Sequence, residues 1–227
     1  KTWQEVRDLS LNFWLVLPLT SPTTAPTIHP GLEAIFNAVV LWSGLLFGFA
    51  SDGRESRGKR ILPTLAMSQF LTNAVYLPYL ATREPEPLAL TRGDVTIEDL
   101  SIAERVGESK ALPLVLSSVF TLCIYWFFMG RESEFGEVST RIDSLKELLS
   151  QDRLGTSFLV DLVYFYAFQG WLVGDDAKRR GLKEGSLTVA ARLVPFYGLV
   201  AYFILRPALP SRDTHVEGRS AEHELDR

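Results

Sequence analysis

ALPLVLSSVFTLCIYWFFMG, residues Ala111–Gly130, is the stretch whose reading decides the fold. Between Lys110 and Arg131 it carries no charged side chain over 20 positions. A transmembrane helix needs roughly 20 predominantly apolar residues to cross a hydrocarbon core about 30 Å thick. A core helix of a water-soluble protein of that length would show a charged stripe. Two further stretches behave in the same way: no charge falls between Glu33 and Asp52, or between Arg60 and Arg83. Three such runs in 227 residues point to an integral membrane protein.

Composition alone would not have shown this. The hydrophobic fraction is 47%, the charged fraction 22% and the mean hydropathy +0.11, all close to ordinary globular values. Net charge is −4, with no basic block suited to nucleic acid, which is not expected as a partner. The single cysteine, Cys123, excludes an internal disulfide and a cysteine-ligated iron–sulfur cluster.

Outward from these runs, the expected fold is all-α: an integral membrane bundle of about five transmembrane helices plus an amphipathic surface helix. Residues 1–31 read as an N-terminal arm, whose apolar Leu9–Leu19 is too short to span and is stopped by a Pro-rich run. An interfacial or re-entrant segment and an extended arm packed on a partner both suit it. The transmembrane domain covers 32–206, with spans at about 32–50, 61–81, 111–130, 154–173 and 186–205. Pro78 should kink or fray the end of the second. The fourth contains Asp161 and the fifth Arg192, each about two turns from a helix start, where a charge costs less than at the centre. Arg192 is expected near Asp175 and Asp176.

Between the third and fourth spans, residues 134–152 repeat apolar side chains at helical spacing. Val138, Ile142, Leu145, Leu148 and Leu149 stand opposite Glu137, Arg141, Lys146 and Glu147. Residues 207–227 form a polar C-terminal tail. Each loop after the first four spans holds four Lys or Arg, as do residues 206–227, so the positive-inside rule assigns no orientation.

No HExxH, GxSxG, P-loop or strand-linked GxGxxG occurs, and a non-enzymatic role is expected. The candidate ligand-binding groups are His29, Glu33, Asn37, Gln69, Asn73 and Gln169. A neutral imidazole offers a lone pair to a metal, and carboxylate or amide oxygens suit a hard cation such as the magnesium of chlorophyll. The same polar groups equally suit hydrogen bonds between helices. Glu33 and Asn37 lie one turn apart, as do Gln69 and Asn73, so each pair should share a helix face. His215 and His223 lie in the polar tail. Asp161, Gln169 and Arg192 are the residues on which a small transporter would rely.

His29–Arg54 (HPGLEAIFNAVVLWSGLLFGFASDGR), Gln69–Arg83, Asp152–Gly181 and Ala191–Pro210 resemble a family of plastid and cyanobacterial membrane proteins. The likeness covers the spans and not residues 84–150. It implies a chloroplast thylakoid membrane and a plastid-targeted precursor. It also implies association with a photosystem core and antenna subunits, photosystem I in particular, with membrane lipids and with chlorophyll a and carotenoid. Two roles follow: a structural subunit of the supercomplex, or an assembly factor in the same membrane.

Overall fold

A computed structural model describes residues 11–12, 20–21, 23, 25–49, 62–82 and 96–209. Most of the N-terminal arm, the first loop, the acidic stretch 83–95 and the tail beyond 209 lie outside the described residues, so the readings made of them are not addressed. The described residues are helical, with no strand among them.

The helices, in chain order, are α1 (Pro30–Leu45, continued by a 3₁₀ turn Leu46–Phe49), α2 (Leu62–Leu71) and α3 (Asn73–Thr82). They continue with α4 (Ile102–Glu108), α5 (Ala111–Met129), α6 (Glu132–Phe135), α7 (Val138–Gln151) and α8 (Arg153–Arg179). The last are α9 (Ser186–Leu193) and α10 (Tyr197–Leu205). The chain divides into two compact units: Lys1–Leu41 with Ser118–Val163, and Trp42–Ser117 with Tyr164–Arg227.

Among the described residues, three helical stretches are long and apolar enough to cross a membrane: Pro30–Phe49, Ala111–Met129 and Arg153–Lys178. Of the five expected spans, the first, third and fourth are thus single long apolar helices, whereas the second and fifth are each divided into two shorter ones. The expected second span is divided at Thr72, a β-branched residue at φ 46°, into two helices of 10 residues. Pro78, the residue expected to disturb it, sits inside α3. In α2 the Ser68 hydroxyl donates to the Leu65 carbonyl. The expected fifth span is divided by Pro195: Val194 before it is extended and Phe196 after it stands at φ 54°. Proline removes a donor and disfavours a helical residue before it, so α9 stops at Leu193.

In the first unit, Pro30 occupies the first helical position of α1, where its missing N–H costs nothing, and Glu33 lies in the first turn, where the helix dipole favours an anion. Helix α7 forms over 138–151, but its inward face differs from the expected one. Arg141 is buried, with Ser144, Leu145, Leu148 and Leu149 half-buried, while Val138 and Ile142 are exposed. The reason is hydrogen bonding. The Arg141 guanidinium donates to the carbonyls of Phe127 (3.0 Å) and Phe128, which the end of α5 leaves without helical partners, and to that of Gly136 (2.8 Å), just after α6. In the second unit, α4 packs on the 3₁₀ turn Leu46–Phe49, and Gly107 lets that approach close, because a Cβ there would meet the Phe47 carbonyl.

Candidate functional site: two buried polar clusters and an apolar groove

The first cluster is built on Glu33, which is fully buried. A buried carboxylate is costly unless it is paired and hydrogen-bonded. Here Trp126 Nε1 donates to Oε2 at 2.7 Å, while Asn12 Nδ2 (2.9 Å) and Arg131 Nη2 (3.2 Å) donate to Oε1. Arg131 and Glu33 form an ion pair that cancels the charge. Asn37 lies one turn along α1, as expected, and its amide donates back to the Glu33 carbonyl at 2.8 Å.

His29, immediately before α1, is also buried. Its Nδ1 accepts the Gly31 backbone N–H at 2.9 Å, satisfying one of the orphan donors at the helix start. An accepting Nδ1 places the hydrogen of the neutral ring on Nε2, which then donates to Ser144 Oγ of α7 at 3.0 Å. The Ser144 hydroxyl donates onward to the Arg141 carbonyl. Phe135 meets the ring edge-on at 4.8 Å between centroids. Both ring nitrogens are thus engaged within the unit. Burial holds the His29 pKa below its ordinary 6.5; a backbone interaction with Arg141 opposes this and the Arg141 charge adds to it.

In the second unit, Gln69 donates from Nε2 to Ser43 Oγ at 3.0 Å, and Ser43 and Ser68 hydroxyls meet at 2.9 Å. These bonds tie α2 to the end of α1. Asn73 is buried, but the break at Thr72 separates it from Gln69, so the expected shared helix face does not form. Gln169 is fully buried in α8 and uses both ends of its amide. Nε2 donates to the Ala191 and Val194 carbonyls at 2.6 and 2.8 Å, and Oε1 accepts the Phe196 N–H at 3.3 Å. The Ala191 carbonyl and the Phe196 N–H are groups that the α9–α10 break sets free, while the Val194 carbonyl also accepts the Gly198 N–H at 3.2 Å. The Tyr166 hydroxyl donates to a further one, the Leu193 carbonyl, at 3.0 Å.

The second cluster was not foreseen from the sequence. Arg180 grips Glu108 through two 2.8 Å bonds, and its Nε reaches Asp176 at 2.9 Å. Arg206 reaches Asp176, Glu108 and the Gly107 carbonyl, each at 3.1 Å, and lies 4.5 Å over the Phe203 ring. The Tyr202 hydroxyl donates to Asp176 at 2.8 Å, and Arg180 donates to the Pro207 carbonyl at 2.6 Å. Two acids and two arginines cancel one another. Burial pulls the Arg180 pKa down, but Glu108 and Asp176 more than offset it and the net shift is upward. Arg192 lies where it was expected, at the exit of α8, with its guanidinium against Gly174, the residue before Asp175 and Asp176, but it forms an ion pair with Glu184, while Asp176 belongs to this cluster. The i,i+4 spacing of Asp176 and Arg180, and an arginine directly after the apolar run of α10, were the signals available.

The first unit also holds an apolar groove of about 250 Å³. Gly31, Ala34, Ile35 and Ala38 of α1 form one wall, and Phe120, Cys123, Ile124 and Phe127 of α5 the other, with Leu145 and Leu162 completing it. Of the six candidate ligand residues, His29, Glu33 and Asn37 fall in the first unit, and Gln69, Asn73 and Gln169 in the second. Among the described residues no cluster of three or more His, Cys, Asp or Glu could hold a metal ion. Comparison with known protein families, curated proteins and solved structures finds no match.

Proposed function

We propose that this chain is a non-enzymatic, multi-span thylakoid membrane subunit of a photosystem–antenna supercomplex, photosystem I above all. In this reading it stabilises the assembly and holds a few chlorophyll a or carotenoid molecules. The observation that carries the reading is the division of labour among its side chains. The carboxylates of Glu33, Glu108 and Asp176 are turned inward onto side-chain partners, and Arg141 and Gln169 are turned inward onto backbone groups at a helix end and a helix break. Helix α5, in contrast, has only 11% of its apolar window buried, with Leu122, Tyr125 and Met129 more than half exposed. A helix apolar on every side needs hydrocarbon or another subunit's span around it. Self-braced ends and open apolar sides suit a part that others pack against. The thylakoid and the photosystem enter through the resemblance of the spans.

The transporter reading leans on Gln169, and that amide is committed to holding the α9–α10 break. The test is to purify the tagged protein from the native membrane under mild detergent and measure its absorption spectrum and co-migrating subunits. Chlorophyll and a photosystem core at near-equal stoichiometry are expected. A substoichiometric core moves the protein to the assembly factors, and a colourless protein running alone overturns the reading.

A further inference from the structure

The apolar groove of the first unit has a shape that selects its occupant. Its α1 wall runs from Gly31 to Ala38, about 10 Å of helix rise. A volume of about 250 Å³ along that length makes it a small, narrow slot. A second helix, about 10 Å across with its side chains, is too wide for it. A flat macrocycle is too large as well, since pockets for drug-sized molecules run from about 300 to 1,000 Å³. A single hydrocarbon chain fits in width and in direction, because the slot runs along α1 and α5, two of the helices able to cross a membrane. The lining holds no charged or amide side chain; its one heteroatom is the Cys123 sulfur. Small residues at positions 31, 34 and 38 keep the slot open on the α1 side.

One end is polar. Gly31 and Leu145 line it there, next to His29 and Ser144, which are hydrogen-bonded to each other. An amphiphile lying with its chain inward along α1 would therefore leave its polar group beside polar protein atoms. An unfilled slot would forfeit the dispersion contacts of every wall residue, so occupation is favoured.

We propose that this groove is a specific site for one acyl chain of a membrane glycerolipid, held between α1 and α5 as a structural part of the first unit. The proposal rests on the membrane-embedded part of the function above, and not on the identity of the complex. The test uses the full chain in vesicles of dioleoyl phosphatidylcholine doped with a phosphatidylcholine carrying a diazirine in its acyl chain. After illumination, adducts on the groove residues Cys123 and Phe127 are compared with adducts on Leu122 and Tyr125, which are exposed on the same helix and do not line the groove. Ala34→Phe, which fills the slot from α1, is expected to abolish the groove adducts and leave the outward ones. Leu162→Trp fills it from α8 and should act likewise, so the conclusion does not hang on one variant folding. In detergent, the wild type should retain glycerolipid through gel filtration and both variants should lose it. Groove labelling unchanged by filling overturns the proposal, and so does a pigment that the wild type retains and both groove-filling variants lose. Release of the protein by alkaline carbonate would sink the membrane reading and this site together. An integral protein with no groove adduct would sink the site alone.

Discussion

At the scale of single residues, His29 shows how one ring can carry a local structure. It satisfies the Gly31 N–H with one nitrogen and bonds Ser144 with the other, which only the neutral ring can do. Protonation would set an Nδ1–H against the Gly31 N–H and add a cation at a helix start, where the dipole disfavours it. The folded-state pKa lies below 6.5, so as pH falls through 6.5 the unfolded chain takes up the proton first. Stability should be unaffected by this group above that value and should fall below it. Thermal midpoints between pH 7.5 and 5.5 check this: the decline should be smaller in His29→Gln, and an equal decline rejects the assignment. The sequence marked His29 as a residue of interest through its place before an apolar run. It could not show that both nitrogens would be engaged, because Ser144 lies 115 residues away.

At the scale of elements, the two divided helices explain most of the distance between sequence and structure. Hydropathy windows register apolar length and are blind to a turn inside that length. Pro195 was readable in the sequence, whereas Thr72 leaves no such mark, because a β-branched residue is not expected at the positive φ it adopts here. Two unbroken stretches, by contrast, were legible to within two residues, Pro30–Phe49 against 32–50 and α5 against 111–130, whereas α8 runs six residues beyond the expected 173. Arg141 was assigned to the wrong side of α7 because periodicity treats a charge as outward, while a guanidinium with several carbonyls to donate to can turn inward. A broken helix is stable in a low-dielectric setting only if its freed groups find partners. Gln169 supplies two of those bonds at the α9–α10 break, to the Ala191 carbonyl and the Phe196 N–H. Gln169→Leu should therefore destabilise the second unit by about 1–3 kcal/mol, the cost of leaving a buried polar group unsatisfied. Gln169→Glu should not rescue it, since an ionised carboxylate cannot donate to the Ala191 and Val194 carbonyls. Denaturant titration of the purified variants measures both, and stability equal to wild type in Gln169→Leu would show that the break needs no support.

At the scale of the whole molecule, each unit carries its own charge-balanced cluster, Glu33–Arg131 in one and Glu108–Asp176–Arg180–Arg206 in the other. Removing one member of a buried ion cluster strands the others, which costs about 3–5 kcal/mol. Asp176→Asn should thus weaken the second unit far more than Asp143→Asn, whose exposed pair with Lys146 is worth about 0–1 kcal/mol. Comparable losses in the two variants would reject a central role for the cluster. The second cluster also sets an order of events for a chain made from its N-terminus. Glu108 and Arg206 are 98 residues apart, and contacts between such distant positions form slowly. Until Arg206 has been synthesised, Arg180 faces both Asp176 and Glu108, so the nascent second unit holds one surplus negative charge among these residues. Its C-terminal arginine is the last piece of a combination lock. A ribosome stalled just short of residue 206 should leave a helix-rich intermediate that is inserted but unlatched, open to proteases and quality control until that one side chain arrives.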